Sequence, residues 1–193
     1  MNNQIDNDLD CEFEYEVVFE LPSNGMPIYV PKSGGGVGRD GVMVKFNTVR
    51  GNRWIGIFAF GDMLPKGECK VFPGPGKNRL TVVAKGNAYI VSPDNPEKYQ
   101  RVKSCPVIRA IPIPHRGLMV FYDYTEVMAY DENGLVWETD RVSWDGIEIN
   151  KVTESELIGQ SWDAPSEKHV ELRVNLTNGH YQGGSAPPAY PTS

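Results

Sequence analysis

The chain is poor in positive charge, in cysteine and in helix-forming periodicity. Lysine and arginine total 19 against 25 acids, for a formal charge of -6, and no basic run exceeds a pair. Tracking nucleic acid or an anionic membrane needs a cationic field that displaces counterions. Neither partner is therefore expected. The 3 cysteines, Cys11, Cys69 and Cys105, are odd in number and widely spaced. That argues against a disulfide scaffold and for free thiols in a reducing compartment, and so for a cytoplasmic protein. Met1 to Leu21 has neither the basic start nor the apolar stretch of a signal peptide, and no run reaches membrane-spanning length.

Helix has little room. With 20 glycines and 15 prolines the chain is punctuated by turns. The best helical candidate is Thr153-Glu154-Ser155-Glu156, which matches a capping box, but Gly159 follows and limits it to one turn.

Strands are what remain. From Glu12 to Leu21, Phe13, Tyr15, Val17 and Phe19 alternate with Glu12, Glu14, Glu16, Val18 and Glu20. Period two with a charged face marks a half-buried strand. Ser23-Asn24-Gly25 is a turn signal, and Ile28 to Val30 a short apolar stretch. Gly41 to Phe46 and Trp54 to Phe60 form a hairpin about Arg50-Gly51-Asn52. Further strands are expected near Lys70 to Phe72, Leu80 to Ala84, Ala88 to Val91, Val107 to Ile113 and Leu118 to Tyr122. Five more follow, at Glu126 to Tyr130, Leu135 to Glu138, Gly146 to Ile149, Val170 to Leu176 and His180 to Gln182. The organisation is an acidic tail over 1-11, one all-β domain over 12-182, and a flexible Pro/Gly/Ser tail over 183-193.

A shift of 38 places Leu80 on Leu118, Val82 on Val120, Val83 on Phe121, Ile90 on Met128, Asn95 on Asn133 and Tyr99 on Trp137. Val174 to Leu176 with Asn178-Gly179 echo Ala129 to Asp131 with Asn133-Gly134. The run from Ala129 to Glu138 resembles the strand-turn-strand of quinoprotein-type β-propeller repeats, and the likeness extends loosely over 79-182. It implies blade-like units and carries no function with it. The expected class is all-β, with antiparallel meanders in a propeller-like, sandwich or barrel arrangement.

Motifs for chemistry are few. Gly36-Val37-Gly38-Arg39-Asp40-Gly41 matches a dinucleotide fingerprint as a string, but a strand follows it where a helix is needed. Asp6, Asp8 and Asp10 open like a calcium loop, yet Cys11 and Val17 stand where glycine and glutamate belong. His115, His169 and His180 lack ligand spacing. Asp123, Glu126, Asp131, Asp140, Asp145 and Glu148 crowd one region with Trp137 and Trp144, a set that suits sugar chemistry or simply solvated turns. Ser143-Trp144-Asp145 and Ser161-Trp162-Asp163 duplicate a tripeptide. Asn175-Leu176-Thr177 fits a glycosylation triplet, and Pro187-Pro188-Ala189-Tyr190 resembles a WW-domain ligand.

No residue is assigned to a catalytic, cofactor or metal site, and no cofactor is expected. The sequence favours a non-enzymatic binding or assembly module whose partner is a protein or a small carbohydrate. One alternative is a carbohydrate-acting hydrolase using two of Asp123, Glu126, Asp140 and Asp145. The other is a homo-oligomer that completes its sheets between chains.

Overall fold

The computed structural model describes residues 13–21, 26–32, 40–48, 50–63 and 66–188. The acidic tail with Asp6, Asp8, Asp10 and Cys11, the Ser23-Asn24-Gly25 turn, Gly36 to Arg39, and Ala189-Tyr190 lie outside the described residues.

The fold is all-β, in four sheets of four strands. Sheet I contains β1 (Phe13–Val18), β2 (Ile28–Val30), β3 (Gly41–Thr48) and β4 (Arg53–Ala59). Sheet II contains β5 (Cys69–Pro73), β6 (Leu80–Ala84), β7 (Asn87–Ser92) and β8 (Asn95–Arg101). Sheet III follows with β9 (Arg109–Ile113), β10 (Leu118–Tyr122), β11 (Val127–Asp131) and β12 (Gly134–Glu138). Sheet IV closes the chain with β13 (Ile147–Val152), β14 (Glu156–Asp163), β15 (Lys168–Asn175) and β16 (Tyr181–Gly183).

Sheets II, III and IV are antiparallel meanders in chain order, as the short turns between alternating strands require. Sheet I departs from the antiparallel expectation. Its order is β1-β3-β4-β2, with β2 parallel to β4. The link after β1 carries the chain from one edge to the other, so β2 enters in the same direction as β4. That connectivity is why the N-terminal third shows no blade-like pattern.

The capping-box segment makes no helix. Thr153 Oγ1 accepts from the Glu156 N–H at 2.9 Å, as a cap would, but Thr153 N–H also donates to Glu156 O at 2.8 Å. The chain therefore turns back, and Leu157 pairs with Val174. One 3-10 turn, Pro114–Arg116, is the sole helical element among the described residues, and no helix there is long and apolar enough to cross a membrane. At the other end, Gly183 belongs to β16, while Gly184 N–H and Ser185 N–H donate to Glu171 O and Val142 O at 2.8 and 2.9 Å. Sheet IV thus reaches three residues into the stretch read as a free tail.

The sheets stack face to face in sequence. Between I and II, Val42, Val44, Phe46 and Phe58 meet Leu80, Val82, Tyr89 and Val91. Between II and III, Val83, Ala88 and Ile90 meet Met119, Phe121, Met128 and Tyr130. Between III and IV, Val120, Tyr122, Val127 and Ala129 meet Leu157, Leu172 and Val174. Every residue of β6 and β7 is buried. By contrast β3 and β14 alternate, with one face covered and one open. Trp54 ties the first interface together by stacking on Phe46, centroids 4.1 Å apart, and donating its Nε1–H to Pro93 O at 2.8 Å.

This stacking corrects the register of the 38-residue match. Val82 faces sheet I, whereas Val120 faces sheet IV. A slip of one residue flips a strand's side chains to the other face. Adding 39 instead turns the pairs Val82–Tyr89 and Leu80–Val91 into Phe121–Met128 and Met119–Tyr130, and Val71–Val82 into Ala110–Phe121. At that offset the facing agrees too, since Val82 and Phe121 each look back toward the preceding sheet.

Phe121 is fully buried at the centre of the stack, edge-on to Tyr130 at 5.6 Å. Phe121→Ala is expected to cost about 3–5 kcal/mol through lost burial and the cavity left behind. Arg173→Ala on the open face of sheet IV should stay within about 0.5 kcal/mol of the parent. Urea unfolding of the two variants checks the contrast.

Candidate functional site

The carboxylates singled out by the sequence do not share a cleft. Asp123 closes the β10–β11 turn: its Oδ1 accepts from the N–H groups of Thr125 and Glu126 at 2.7 and 2.8 Å, and its Oδ2 from Ser104 Oγ at 3.0 Å. Asp131 closes the β11–β12 turn in the same way, through the N–H groups of Asn133 and Gly134. Asp140 and Asp145 are exposed. Glu148 accepts from Gln160 Nε2 across β13 and β14 at 2.7 Å. Glu126 follows in the same turn, its N–H bound to Asp123 Oδ1. Burial, then the neighbouring Asp123 carboxylate, pushes its carboxyl above the usual range.

The two Ser-Trp-Asp tripeptides meet. Trp144 N–H donates to Trp162 O at 3.1 Å, and Ser143 Oγ accepts from Trp162 N–H at 3.1 Å. Asp163 binds Ser166 and Ser185 through its side chain, which holds its carboxyl below the usual range. The duplication thus clasps β14 to the loop before β13. Trp137 is buried, with Nε1–H donating to Leu176 O at 2.9 Å, a packing role. His169 lies edge-on to Trp162, and His115 and His180 sit in separate turns. Among the described residues no three metal-ligating side chains converge.

A better-formed site lies where sequence patterns drew no attention, in a crevice of about 530 Å³ between sheets I and II. It is lined by the chain leaving β4 (Ala59 to Asp62), the β6–β7 turn at Lys85, and Asn87, Tyr89, Arg101, Pro31 and Asp40. Its frame is backbone held against backbone. Gly61 N–H donates to Ala84 O at 2.9 Å and Met63 N–H to Lys85 O at 3.1 Å. A Cβ on Gly61 would come within 2.7 Å of Asn87 N and Lys85 O, so only glycine allows the approach. The tight turn holds Lys85 and Gly86 at φ 46° and 97°, the primed geometry that suits a two-residue hairpin.

Within that frame a polar network is fully engaged. Asn87, 8% exposed, donates from Nδ2 to Ala59 O and to Tyr89 Oη at 3.2 and 3.1 Å. Tyr89 Oη donates to Ala59 O at 3.0 Å. Asn87 Oδ1 accepts from Arg101 Nη2 at 2.7 Å, which aims the guanidinium along the crevice. The Lys85 ammonium stands 4.5 Å from the centroid of the Phe60 ring, a cation–π contact. Asp40 and Asp62 add carboxylates. Cations and carboxylates thus share one lining with an aromatic ring, an arrangement that can hold a polar molecule by both ends. No histidine, cysteine or serine lines it.

Comparison with protein-family models, curated proteins and solved structures finds no match.

One signal in the sequence could have pointed here. Asn87 is a poor strand former directly after a Lys-Gly turn and before an apolar run, and a buried asparagine needs partners. Its partner Ala59 is 28 residues away, which spacing alone does not reveal.

The Glu126 shift sets a pH dependence. A carboxyl raised on folding leaves stability unaffected below its ordinary value, where both states are protonated. Stability then falls as pH rises from that value to the raised one, and stays lower above it. Glu126→Gln should therefore stabilise the fold at neutral pH and have no effect at pH well below the carboxylate range. Urea midpoints at the two pH values test this.

Proposed function

We propose that this chain is a non-enzymatic binding module that holds a small zwitterionic ligand in the crevice between sheets I and II. The observation that carries the reading is the pair Arg101 and Lys85. Both line the crevice, and neither has an ion-pair partner among the described residues. Arg101 is oriented by the buried Asn87–Tyr89–Ala59 network, so its remaining donors are pre-aimed. The anionic end of the ligand would meet these two cations, its cationic end Asp40 and Asp62, with Phe60 beside them. A volume of about 530 Å³ suits a small molecule.

The hydrolase alternative draws less support, because Asp123 is engaged in closing a turn and Asp140 and Asp145 stand in solvent. The offset of 39 shared by sheets II and III supports the blade-like reading for that part of 79-182. Free Cys69 and Cys105 fit the cytoplasmic reading.

Titration with a panel of free amino acids, followed by amide chemical shifts, tests the proposal. At least one member should shift the amides of Lys85, Asn87 and Arg101 together. Arg101→Ala should weaken that binding by about tenfold or more, with Arg101→Lys intermediate. A panel that moves none of these amides at millimolar concentration would contradict it.

A further inference from the structure

We propose that the ligand of the crevice is an α-amino acid with a long apolar side chain, and that this side chain lies in a second, adjoining groove. The inference rests on the reading of the crevice as a zwitterion site and specifies what the ligand carries beyond its charged end. The groove measures about 420 Å³ and is lined by Leu21, Tyr29, Met43 and Ile57, with Asp40, Gly41 and Phe60 where β3 begins and β4 ends. Asp40 and Phe60 line the crevice as well, so the two spaces share a wall. Backbone fixes that wall. Phe60 N–H donates to Asp40 O at 3.1 Å, one step beyond the Gly41–Ala59 pair that ends the β3–β4 ladder.

The chemistry changes across the wall. On the crevice side stand Lys85, Arg101, Asn87 and Asp62. On the groove side Asp40 is the one charged side chain among the described residues of the lining, and the rest is aliphatic, thioether or aromatic. Ile57 is 5% exposed, and Met43 and Tyr29 are half-buried. Walls so largely covered leave a slot for a chain rather than a face for another protein. The volume is that of a small-molecule site.

The positions of the charges order the ligand. Arg101 lines the crevice and not the groove, so the carboxylate lies away from the wall. Asp40 stands in the wall itself, which places the ammonium at the junction. An apolar chain leaving the junction enters the groove. Carboxylate, ammonium and side chain in that order describe an α-amino acid, whose ammonium and side chain share one carbon. An ω-amino acid carries its ammonium at the far end of the chain instead. There it would be desolvated against Leu21, Met43 and Ile57 with no carboxylate to meet it.

Titration of the full chain with glycine, alanine, norvaline, norleucine and ε-aminocaproate, followed by amide shifts, tests this. Affinity should rise about threefold for each added methylene of the α-series. Norvaline and norleucine should move the amides of Met43 and Ile57 together with those of Lys85, Asn87 and Arg101. Norleucine and ε-aminocaproate contain the same atoms, and the second should bind about tenfold weaker or worse. Leu21→Asp and Met43→Gln should each flatten the rise with chain length. Leu21 is 45% exposed, so Leu21→Asp remains decisive if Met43→Gln fails to fold. A series that moves the crevice amides with equal affinity, an ε-aminocaproate as tight as norleucine, or a rise that survives Leu21→Asp would overturn the groove and leave the zwitterion reading standing. A series that moves no crevice amide would overturn both.

Discussion

Burial of both faces of two adjacent sheets is the constraint on which this molecule rests. A sheet covered on one side alternates along each strand, but β6 and β7 have no exposed position at all. Such strands cannot exist without a sheet on either side. Sheets II and III cover each other through Met119, Phe121, Met128 and Tyr130, and each needs a further sheet on its other face. Sheets I and IV supply that cover. The arrangement is cooperative by construction, since removing an end sheet exposes a largely apolar face.

The same constraint makes the two ends of the stack chemically unlike. Sheet IV turns an outer face to solvent whose charges are paired in place. Sheet I, wound with a crossing link and a parallel strand, is followed on leaving β1 by the exposed Phe19 and, before β2, by the exposed Met26. Its β4 also runs on past the sheet edge to pack Gly61 against the β6–β7 turn. That excursion opens the crevice and places Phe60 beside Lys85. The irregular sheet is thus the one whose departing strand forms the crevice with sheet II.

Much of this fold was legible in residue patterns. The hairpin about Gly51 appears as read, because Arg50-Gly51-Asn52 links two apolar runs and Thr48 N–H closes it onto Asn52 O. The match at 38 was one residue short because strands buried on both faces carry apolar residues on either face. Leu80 and Leu118 then align by type while facing opposite ways. The crevice was hidden for a different reason. Its residues come from five places in the chain, brought together by hydrogen bonds such as Asn87 to Ala59 and Arg101 to Asn87, and none forms a spaced motif. Conversely, of the acidic residues that stood out as a group, Asp123 and Asp131 close hairpin turns, and their proximity in sequence reflects the density of hairpins.

Native-state hydrogen exchange tests the two-faced core most directly. Amides of β6, β7, β10 and β11 should exchange together and most slowly, through global unfolding, while β1, β3, β14 and β15 open earlier in sub-global steps. Protection in β3 or β14 equal to that of β6 and β10, or early opening of β7 or β11, would contradict an open stack that depends on its two inner sheets.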